Sequence, residues 1–416
     1  MKKVAITDTG IIEPFGEVAC DLPILNEPLR ERQRQAMSFL PIRHELRVSS
    51  LSELRGETEE MVVYRDNLLF DKELVRSFID NARILNSPSQ VAFSIDDAFI
   101  IEHALRLQTG IKKNDNLYVA DLFYYPRGYA QNVTPIKVSL KAQQMWYLSI
   151  PTKERWLRKG LFAEFALPRT LDFAPIRLFV PSKSFMSIES WVHLLFANVL
   201  CGIFVRAQTL SFEMRKKRLF RLGILGAALL EGRRPLSCSK LVRIGKNCQI
   251  DPSAIILGPT VIGDETIIEP GAVIASSVIG NKAYIGQGCN VRNSVIGHNC
   301  TLPFRTSAMM SCVMDNTILN SIVRFSIIGR NCFIGDGIWF ADRNLRGHEV
   351  TDERLGGEMV STMHRGKLEK TGYFLLGSGI GHEVRIAAGH VIYPGRTVNS
   401  GSTLILDEKA SCIVRN

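Results

Sequence analysis

The sequence lacks the short motifs that mark the commonest nucleotide-binding and hydrolytic sites. None of the patterns GxGxxG, GxxxxGK(S/T), HExxH or GxSxG occurs in its 416 residues. These patterns hold phosphates on a glycine-rich turn, bind zinc through two histidines, or expose a nucleophilic serine. Their absence excludes the standard dinucleotide-binding, P-loop, zinc-peptidase and serine-hydrolase sites.

Paired cysteines are also missing. The chain has nine cysteines, but no two of them have the CxxC spacing that is typical of structural zinc sites. We therefore predict no metal site and interpret the cysteines as small apolar core residues. Free thiols indicate a cytoplasmic protein, because disulfides form mainly in secreted proteins.

Long apolar runs are absent as well. The longest, residues 191–205, is interrupted by His193 and Asn198, and it is shorter than the ~20 residues that a membrane span needs. We interpret it as a core helix. The first twenty residues contain no apolar stretch preceded by basic residues, so no signal peptide is evident.

The net charge of +10 is concentrated in one segment of the chain. Residues 206–243 contain ten basic residues and only two acidic ones, Glu213 and Glu231, which gives this segment a net charge of +8. Such a field would attract a phosphate-bearing ligand or make peripheral contact with an acidic membrane surface. The alternative is a solvated basic helix that joins two domains, and no nucleic-acid partner is expected.

A six-residue repeat runs through the C-terminal part of the chain. Large aliphatic residues recur at every sixth position in two long series, Ile244, Ile250, Ile256, Ile262, Ile268 and Ile274, then Ile380, Ile386, Ile392, Val398 and Leu404. Helices and ordinary strands have periods of about 3.6 and 2. Triangular coils have a period of six, because each unit forms one side and points one aliphatic residue inward.

Small residues and glycines support the same interpretation. The position four places after the aliphatic residue is usually small, as at Cys248, Cys289, Cys300 and Cys332. Glycine often follows the aliphatic residue directly, where a tight corner favours a residue without Cβ. We predict a left-handed parallel β-helix over residues 241–416, with an excursion at 342–371. We expect a homotrimer of this domain, with the excursion reaching a neighbouring subunit.

Strand-like and helix-like stretches alternate in residues 1–188, which favours an α/β domain with a mainly parallel sheet. The pattern predicts strands at 61–64, 91–95, 117–125 and 176–180, and helices at 72–84 and 96–107. Residues 189–240 are predicted to form a basic helical connector, with one or two helices over 190–230.

This order of parts resembles the bifunctional N-acetylglucosamine-1-phosphate uridylyltransferase/acetyltransferases and the archaeal-type sugar-1-phosphate nucleotidyltransferases. Residues 23–29 (PILNEPL) look like the family's P-(I/V)-x-N-x-P-L segment, and residues 193–198 (HLLFAN) resemble its D-L-L-x-A-N. Residues 334–346 look like the family's (F/I)-G-A-G…A-N-(L/Y)-R element, and residues 392–396 are similar to the last coils of the archaeal type. The resemblance implies a degenerate nucleotidyltransferase-like N-terminal domain, and contacts from Asn344 and Ala388 to acetyl-CoA or another acyl-CoA.

Two departures separate the chain from the family's standard chemistry. The glycine-rich loop L-A-A-G-x-G-T-R, which holds the triphosphate, has no counterpart, because residues 7–18 contain Gly10 and Gly16 but no arginine. The resemblance also places Leu319 where the family has the histidine that serves as general base. Leucine cannot accept a proton, so the standard acetyl-transfer mechanism is not expected.

The excursion is the best place in the sequence for a substitute site. His364 and His348 are the candidate catalytic bases. The candidate substrate-binding residues are the cations Arg343, Arg346, Arg365, Lys367 and Lys370, which suit a phosphate. The alternative is a solvated loop.

The other histidines of the β-helix carry weaker expectations. His298 and His382 lie two places after an inward residue and are expected to point outward, to solvent or to a subunit groove. His390 occupies an inward position for which imidazole is oversized.

The sequence therefore predicts a transferase-like protein of nucleotide-sugar or amino-sugar metabolism, most concretely one that transfers an acyl group from CoA to a hexosamine or its phosphate. One alternative is a non-catalytic sugar-nucleotide-binding or scaffold protein. Another is a sugar-1-phosphate nucleotidyltransferase with a non-standard site. Only this last activity would need Mg²⁺, with either Asp66 or the pair Asp96 and Asp97 as candidate ligands.

Overall fold

The computed structural model describes residues 1–147, 176–343 and 359–406. Within these ranges the chain forms an N-terminal α/β domain and a C-terminal parallel β-helix. The predicted fold class is therefore confirmed.

A seven-stranded mixed sheet forms the centre of the N-terminal domain. Its main path from edge to edge is Thr134–Lys137, Ser89–Ser94, Leu117–Tyr125, Met61–Arg65, Lys2–Ile6 and His44–Val48, and Ile111–Asn114 pairs with Leu117–Tyr125. On this path only Leu117–Tyr125 runs antiparallel to its neighbours. The expected, mainly parallel sheet is thus present.

Two α-helices pack on this sheet, α1 (Leu29–Ala36) and α2 (Lys72–Leu85). The N-terminus of α2 is capped by Asp71, whose side chain accepts a hydrogen bond from the Leu74 N–H. The helix expected at 96–107 is present but shorter, because helical structure covers only 98–104, with the π-helical turn Ile100–Ala104 at its end. Leu107 adopts a left-handed conformation (φ 57°), which ends the helical path before the next strand begins.

Short hairpins and turns complete this domain. The paired strands are Ile11–Ile12 with Glu17–Val18, Pro23–Ile24 with Glu27–Pro28, Leu68–Phe70 with Phe185–Ser187, and Gln143–Tyr147 with Ile176–Val180. Short 3₁₀ turns form at Ala19–Asp21 and Leu51–Leu54, and two more, Pro235–Ser237 and Ser239–Leu241, precede the β-helix.

One continuous helical segment leads out of the domain. It consists of α3 (Trp191–Phe196), the π-helical Ala197–Phe204 and α4 (Val205–Lys216). Residues 191–205 are buried, as expected of a core helix. Among the described residues, Trp191–Met214 is the one helix whose length and composition would suffice to cross a membrane, and 67% of its most apolar window is buried inside the protein. After α4 comes α5 (Arg218–Leu230).

The β-helix has three faces of parallel strands. The first face is Val242–Ile244, Thr260–Ile262, Val278–Ile279, Val295–Ile296, Cys312–Val313, Ile327–Ile328, Gly379–Ile380 and Thr397–Val398. The second face is Gln249–Ile250, Ile267–Ile268, Tyr284–Ile285, Thr301–Leu302, Ile318–Leu319, Phe333–Ile334, Arg385–Ile386 and Thr403–Leu404. The third face is Ile255–Leu257, Val273–Ala275, Asn290–Arg292, Ser307–Met309, Ile322–Arg324, Trp339–Phe340 and Val391–Ile392.

The aliphatic ladder fills the interior of this prism, as the repeat predicts. Its residues form one buried cluster that runs from Ile262 to Ile392. Ile250, Ile256, Val398 and Leu404, in the end coils, are only partly buried. Ile244 is 53% exposed, because it lies in the first coil and no preceding coil covers it. Leu319 is fully buried inside the prism. The position that the resemblance gives to a catalytic base therefore faces the core.

The first face of the β-helix packs against the N-terminal domain of the same chain. Val295, Cys312 and Ile327 belong to the buried cluster that forms the N-terminal core. The Asn26 side-chain amide donates a 2.8 Å hydrogen bond to the carbonyl oxygen of Ile296. The two domains therefore share a core along this face.

This packing corrects the expectation for His382. Its side chain does point outward from the coil, but it is buried against the Phe15 ring at 5.1 Å, between Arg330 and Glu17. Burial and the nearby Arg330 lower the His382 pKa to about 4. His298 is half-buried, and its Nδ1 accepts a hydrogen bond from the Asn281 N–H.

Candidate functional site

The described part of the excursion folds back onto its own N-terminal domain. Ser361–His364 and Lys367–Lys370 pair as an antiparallel hairpin, here called the inserted hairpin. The Trp191 indole N–H donates a 2.9 Å hydrogen bond to Oγ1 of Thr362, and both side chains are buried. The inner face of this hairpin is therefore occupied within the chain, and contact between the excursion and a neighbouring subunit stays a prediction.

Glu189 joins the inserted hairpin to two segments of the N-terminal domain. Its carboxylate accepts hydrogen bonds from the backbone N–H groups of Thr109 and Gly110, and from the hydroxyl groups of Thr109 and Ser187. Arg365 of the hairpin adds an ion pair at 2.6 Å. Burial alone would raise the Glu189 pKa, but the bonds from Ser187, Gly110 and Thr109 lower it below its usual value.

His193 holds the backbone around Glu189 in place through two hydrogen bonds. Its Nε2 lies 2.6 Å from the carbonyl oxygen of Arg106, and its Nδ1 accepts the Glu189 N–H at 3.2 Å. Burial is the main reason why the His193 pKa falls to about 4. The imidazole is therefore neutral at pH 7, with its hydrogen on Nε2, and it fixes the backbone on both sides of the site.

His364 lies at the end of the first hairpin strand, almost fully buried. Its Nε2 is 3.2 Å from the carbonyl oxygen of Glu189, and its Nδ1 is 3.4 Å from Oε1 of Glu369. A carbonyl oxygen only accepts, so Nε2 must carry a hydrogen. In the neutral ring the lone pair is then on Nδ1, facing a carboxylate. Nδ1 and Oε1 are then both acceptors, so they suit a ligand group that donates a hydrogen bond to each of them.

A cavity of about 420 Å³ opens beside His364, at the junction between the inserted hairpin and residues 105–109. We call it the junction cavity. It is lined by Leu105, Arg106, Leu107, Gln108, Thr109, His364, Arg365, Glu369 and Lys370. Three of these side chains are cationic and one is a carboxylate, so the cavity suits a small ligand that carries an anionic group and hydrogen-bonding groups.

The structure brings three of the predicted site residues together. His364, Arg365 and Lys370 line the junction cavity. Lys367 begins the second hairpin strand with an exposed side chain, and it is not among the lining residues.

The remaining predicted residues lie elsewhere or outside the described part. Arg343 pairs with Leu375 where the excursion leaves the coil. Ala388 is exposed at a corner between the second and third faces. Three residues lie outside the described ranges, namely Asn344, Arg346 and His348.

Sequence reasoning missed the N-terminal half of this site. Glu189, Thr109 and Arg106 belong to no recognisable motif, and Glu189 is 176 positions from Arg365, with which it pairs. Glu369 could have been found, because a two-stranded hairpin with its turn at residues 365–366 places it across from Thr362, near His364.

A second cavity, of about 460 Å³, lies on the sheet beside α1. We call it the sheet cavity. It is lined by Lys3, Ala5, Arg30, Glu31, Gln33, Arg34, Glu45, Leu46, Arg47, Tyr64 and Asp66. Oδ1 of Asp66 accepts the Asp8 N–H at 2.8 Å, whereas Oδ2 of Asp66 and Oε1 of Gln33 are buried without a hydrogen-bond partner. Asp66 follows the strand Met61–Arg65, at the carboxyl ends of the parallel strands.

The other candidate metal ligands have different roles. Asp97 accepts hydrogen bonds from the N–H groups of Phe99 and Ile100 and so caps the π-helical turn, and Asp96 is exposed. Across residues 1–147, 176–343 and 359–406, no group of three or more His, Cys, Asp or Glu side chains is arranged to hold a metal ion.

Comparison with protein families gives one match. The model described as "Bacterial transferase hexapeptide (six repeats)" matches residues 242–276, which form the first coils of the β-helix. No curated protein matches the chain.

Solved structures of similar fold include two acyl-transferring proteins. The UDP-N-acetylglucosamine acyltransferase from Campylobacter jejuni is 12% identical with a TM-score of 0.20, over 37% of this chain and 63% of that one. The acetyltransferase domain of PglB from Neisseria gonorrhoeae, in complex with acetyl coenzyme A, is 19% identical with a TM-score of 0.14, over 44% and 64%. This chain therefore spans less than two thirds of either structure.

Proposed function

We propose that this protein transfers an acyl group from coenzyme A to the amine of a hexosamine or hexosamine phosphate, in the junction cavity. The observation that carries the proposal is the pairing of His364 with Glu369 on the wall of a cavity that also contains cationic side chains. The hexapeptide repeats of residues 242–276, which match a transferase family model, support a group transfer in general.

The junction cavity has groups that suit both the amine and the phosphate of such an acceptor. The ammonium group of a hexosamine would lie beside this pair and donate hydrogen bonds to Nδ1 of His364 and to the Glu369 carboxylate. A phosphate on the sugar would lie against Arg106 and Lys370, while Arg365 is already paired with Glu189. Thr109 and Gln108 remain for sugar hydroxyl groups.

In this proposal, His364 acts as the general base. The carbonyl of Glu189 holds the hydrogen on Nε2, which leaves the Nδ1 lone pair for the substrate. The bound ammonium group first releases one proton to solvent. Nδ1 then takes a second proton from the nitrogen as the free amine attacks the thioester carbonyl. When the carbon–sulfur bond breaks, this proton passes from Nδ1 to the departing thiolate. General-base catalysis typically contributes a factor of ~10² to 10⁴ in rate.

Apolar side chains on the two outer faces of the β-helix support a homotrimer. Tyr284, Ile318 and Phe333 form an exposed row on the second face. Ile322, Trp339 and Val391 do so on the third face. Rows of this kind mark protein–protein contacts.

The acyl donor is proposed to bind along the corner at Ala388. The protein is proposed to be cytoplasmic, and its eight described cysteines are all free.

The test measures thiol release from acetyl-CoA by the purified protein with hexosamines and hexosamine phosphates. We expect turnover that His364→Gln lowers by ~100-fold or more, and that His44→Gln, at an exposed histidine on the sheet edge, leaves unchanged. Absence of turnover with every acceptor, or an active His364→Gln variant, would refute acyl transfer at this site. A crystal structure with acetyl-CoA then tests whether the donor reaches the junction cavity.

The second candidate function is ligand binding without catalysis. The contact between His364 and Glu369 also supports it. If His364 is protonated, it forms a closed ion pair with Glu369, and the junction cavity then only binds its ligand. A protein of this kind would be stabilised by UDP-sugars or by CoA without consuming them. Saturation at ~100 times the dissociation constant adds ~2.7 kcal/mol to the free energy of unfolding, so a thermal shift without thiol release identifies it.

Nucleotidyl transfer is favoured by one observation in the sheet cavity. Asp66 has a buried carboxylate oxygen with no hydrogen-bond partner, which is the kind of atom that binds Mg²⁺. Burial raises the Asp66 pKa, and a bound cation would reverse this shift. Magnesium-dependent release of pyrophosphate from a nucleoside triphosphate and a sugar 1-phosphate, lost in Asp66→Asn, is the expected result. No release with any nucleotide excludes this activity.

A further inference from the structure

Helix α5 is apolar on two opposite sides. On one side, Ile224 and Ala228 are buried against Cys238 and Leu241, which precede the first coil of the β-helix. The other side consists of exposed leucines, and we call it the leucine face. Its members are Leu219, Leu222, Leu225, Leu229 and Leu230, with exposed fractions between 42% and 90%.

An apolar face of a helix is normally covered by other parts of the protein or by a partner. The leucine face has no cover within the described chain, because each of its leucines is exposed. Phe212, 56% exposed on α4, extends the apolar surface along the chain. Contiguous apolar surface of this kind marks an interaction site.

Basic residues flank the leucine face. Six exposed cationic side chains lie on or near α5, and they are Lys216, Lys217, Arg218, Arg221, Arg234 and Lys240. The two acidic residues of the segment are already engaged. Glu213 pairs with Lys217 at 3.6 Å, and Glu231 accepts hydrogen bonds from Ser239 and pairs with Arg233.

The positive charge around the leucine face distinguishes between two occupants, a second copy of this chain and an anionic membrane. A second copy of the same surface would bring like charges together, which costs energy over distances shorter than the Debye length of ~8 Å. An anionic bilayer surface accepts leucines at its headgroup boundary and attracts each nearby Lys or Arg by ~1 kcal/mol. An anionic bilayer therefore matches both the exposed leucines and the flanking cations.

We propose that α5 and the end of α4 dock this protein onto an anionic membrane surface, with the leucine face inserted at the headgroup boundary. The helix lies in the interface and does not cross the bilayer. The preceding helix Trp191–Met214 stays in the protein core, since 67% of its most apolar window is buried there. This inference is independent of the chemistry proposed for the junction cavity.

The experiment is co-sedimentation of the full-length protein with vesicles of phosphatidylcholine alone, or with roughly 30% phosphatidylserine added to provide the anionic surface. We expect binding to the anionic vesicles, little binding to the neutral ones, and release in about 0.5 M NaCl. Leu222→Glu/Leu229→Glu should lower the partition coefficient by at least ~10-fold. Arg218→Gln/Arg221→Gln should lower it by about 5-fold for each charge removed.

Matched variants elsewhere separate docking from general effects of charge. Ile84→Glu replaces an apolar side chain that is 82% exposed at the end of α2, and Lys112→Gln/Lys113→Gln removes two exposed charges from a sheet strand. Both should bind like the wild type, and circular dichroism should show equal folding of all variants.

Three results would overturn the proposal. The first is no sedimentation with the anionic vesicles. The second is equal binding by the leucine-face variant and the Ile84→Glu control. The third is a smaller oligomer for Leu222→Glu/Leu229→Glu in light scattering, which would show that a second copy covers the leucine face.

Discussion

The backbone N–H of Leu25 donates a 2.7 Å hydrogen bond to Oδ1 of Asn198, across 173 positions of the chain. The Asn198 amide in turn donates to the carbonyl oxygens of Pro23 and Leu194. The two segments that resemble nucleotidyltransferase motifs therefore meet in space. In this protein Asn198 is fully buried, and its three bonds use both amide hydrogens, so the side chain acts as a structural tie.

Asn198→Ala should be strongly destabilising. The substitution leaves the part-buried Leu25 N–H and Pro23 carbonyl without their partner, which costs about 2 kcal/mol in the free energy of unfolding. Urea titration followed by tryptophan fluorescence measures it. Asn81→Ala is the control, because this exposed side chain makes one bond within α2, and its loss should change the value by less than ~0.5 kcal/mol. Equal effects of both would contradict the structural role.

Gly381→Ala should destabilise the contact between the domains. A Cβ at this corner would lie 2.4 Å from the Ser400 nitrogen and 2.7 Å from the Pro14 carbonyl oxygen, and these backbone atoms cannot rotate away. We expect a loss of ~1 to 3 kcal/mol, seen as a lower melting temperature. Gly226→Ala, in the open interior of α5, should instead stabilise by ~1 kcal/mol. A neutral Gly381→Ala would mean that the domains are less closely packed.

Stability should fall below pH 6.5 because of His103. Burial lowers its pKa to about 3, and the ring bonds to the Tyr373 hydroxyl and the Phe179 N–H. Between pH 6.5 and 3, His103 binds a proton in the unfolded chain but not in the folded protein. It therefore lowers the free energy of unfolding by about 1.4 kcal/mol for each unit of falling pH.

Urea titrations between pH 7 and 4.5 measure this slope. His103→Gln, although less stable throughout, should show a shallower slope, and His44→Gln, at an exposed position, should keep that of the wild type. An unchanged slope in His103→Gln would show that other groups carry the acid sensitivity.

Lys370→Gln tests how the junction cavity recognises its acceptor. We expect KM to rise by ~10-fold for a hexosamine phosphate, because one phosphate contact is lost, and kcat to stay the same. The matched control is Lys367→Gln on the same hairpin, whose side chain does not line the cavity. If both variants behave alike in steady-state kinetics, Lys370 does not hold the phosphate.

Local sequence patterns predicted the helices and strands whose buried residues recur with a regular period. The strand expected at 117–125 forms over Leu117–Tyr125, and the helix expected at 72–84 forms as Lys72–Leu85. The helix expected at 96–107 forms only over 98–104, because these residues already bury Phe99, Ile100 and Ala104. Helical periodicity says which residues are buried, but it does not say how many turns are needed to bury them.

The sequence by itself determined the β-helix, because the six-residue period is a local property in which each unit repeats the same inward contact. It also located the excursion and its two histidines, of which His364 lies in the described part. Only the tertiary structure decided what that histidine meets, because Glu189 and Thr109 reach the hairpin through contacts between distant residues that no period encodes. His364 belongs to a cavity between the domains for the same reason: a single buried carboxylate binds donors from three segments of the chain.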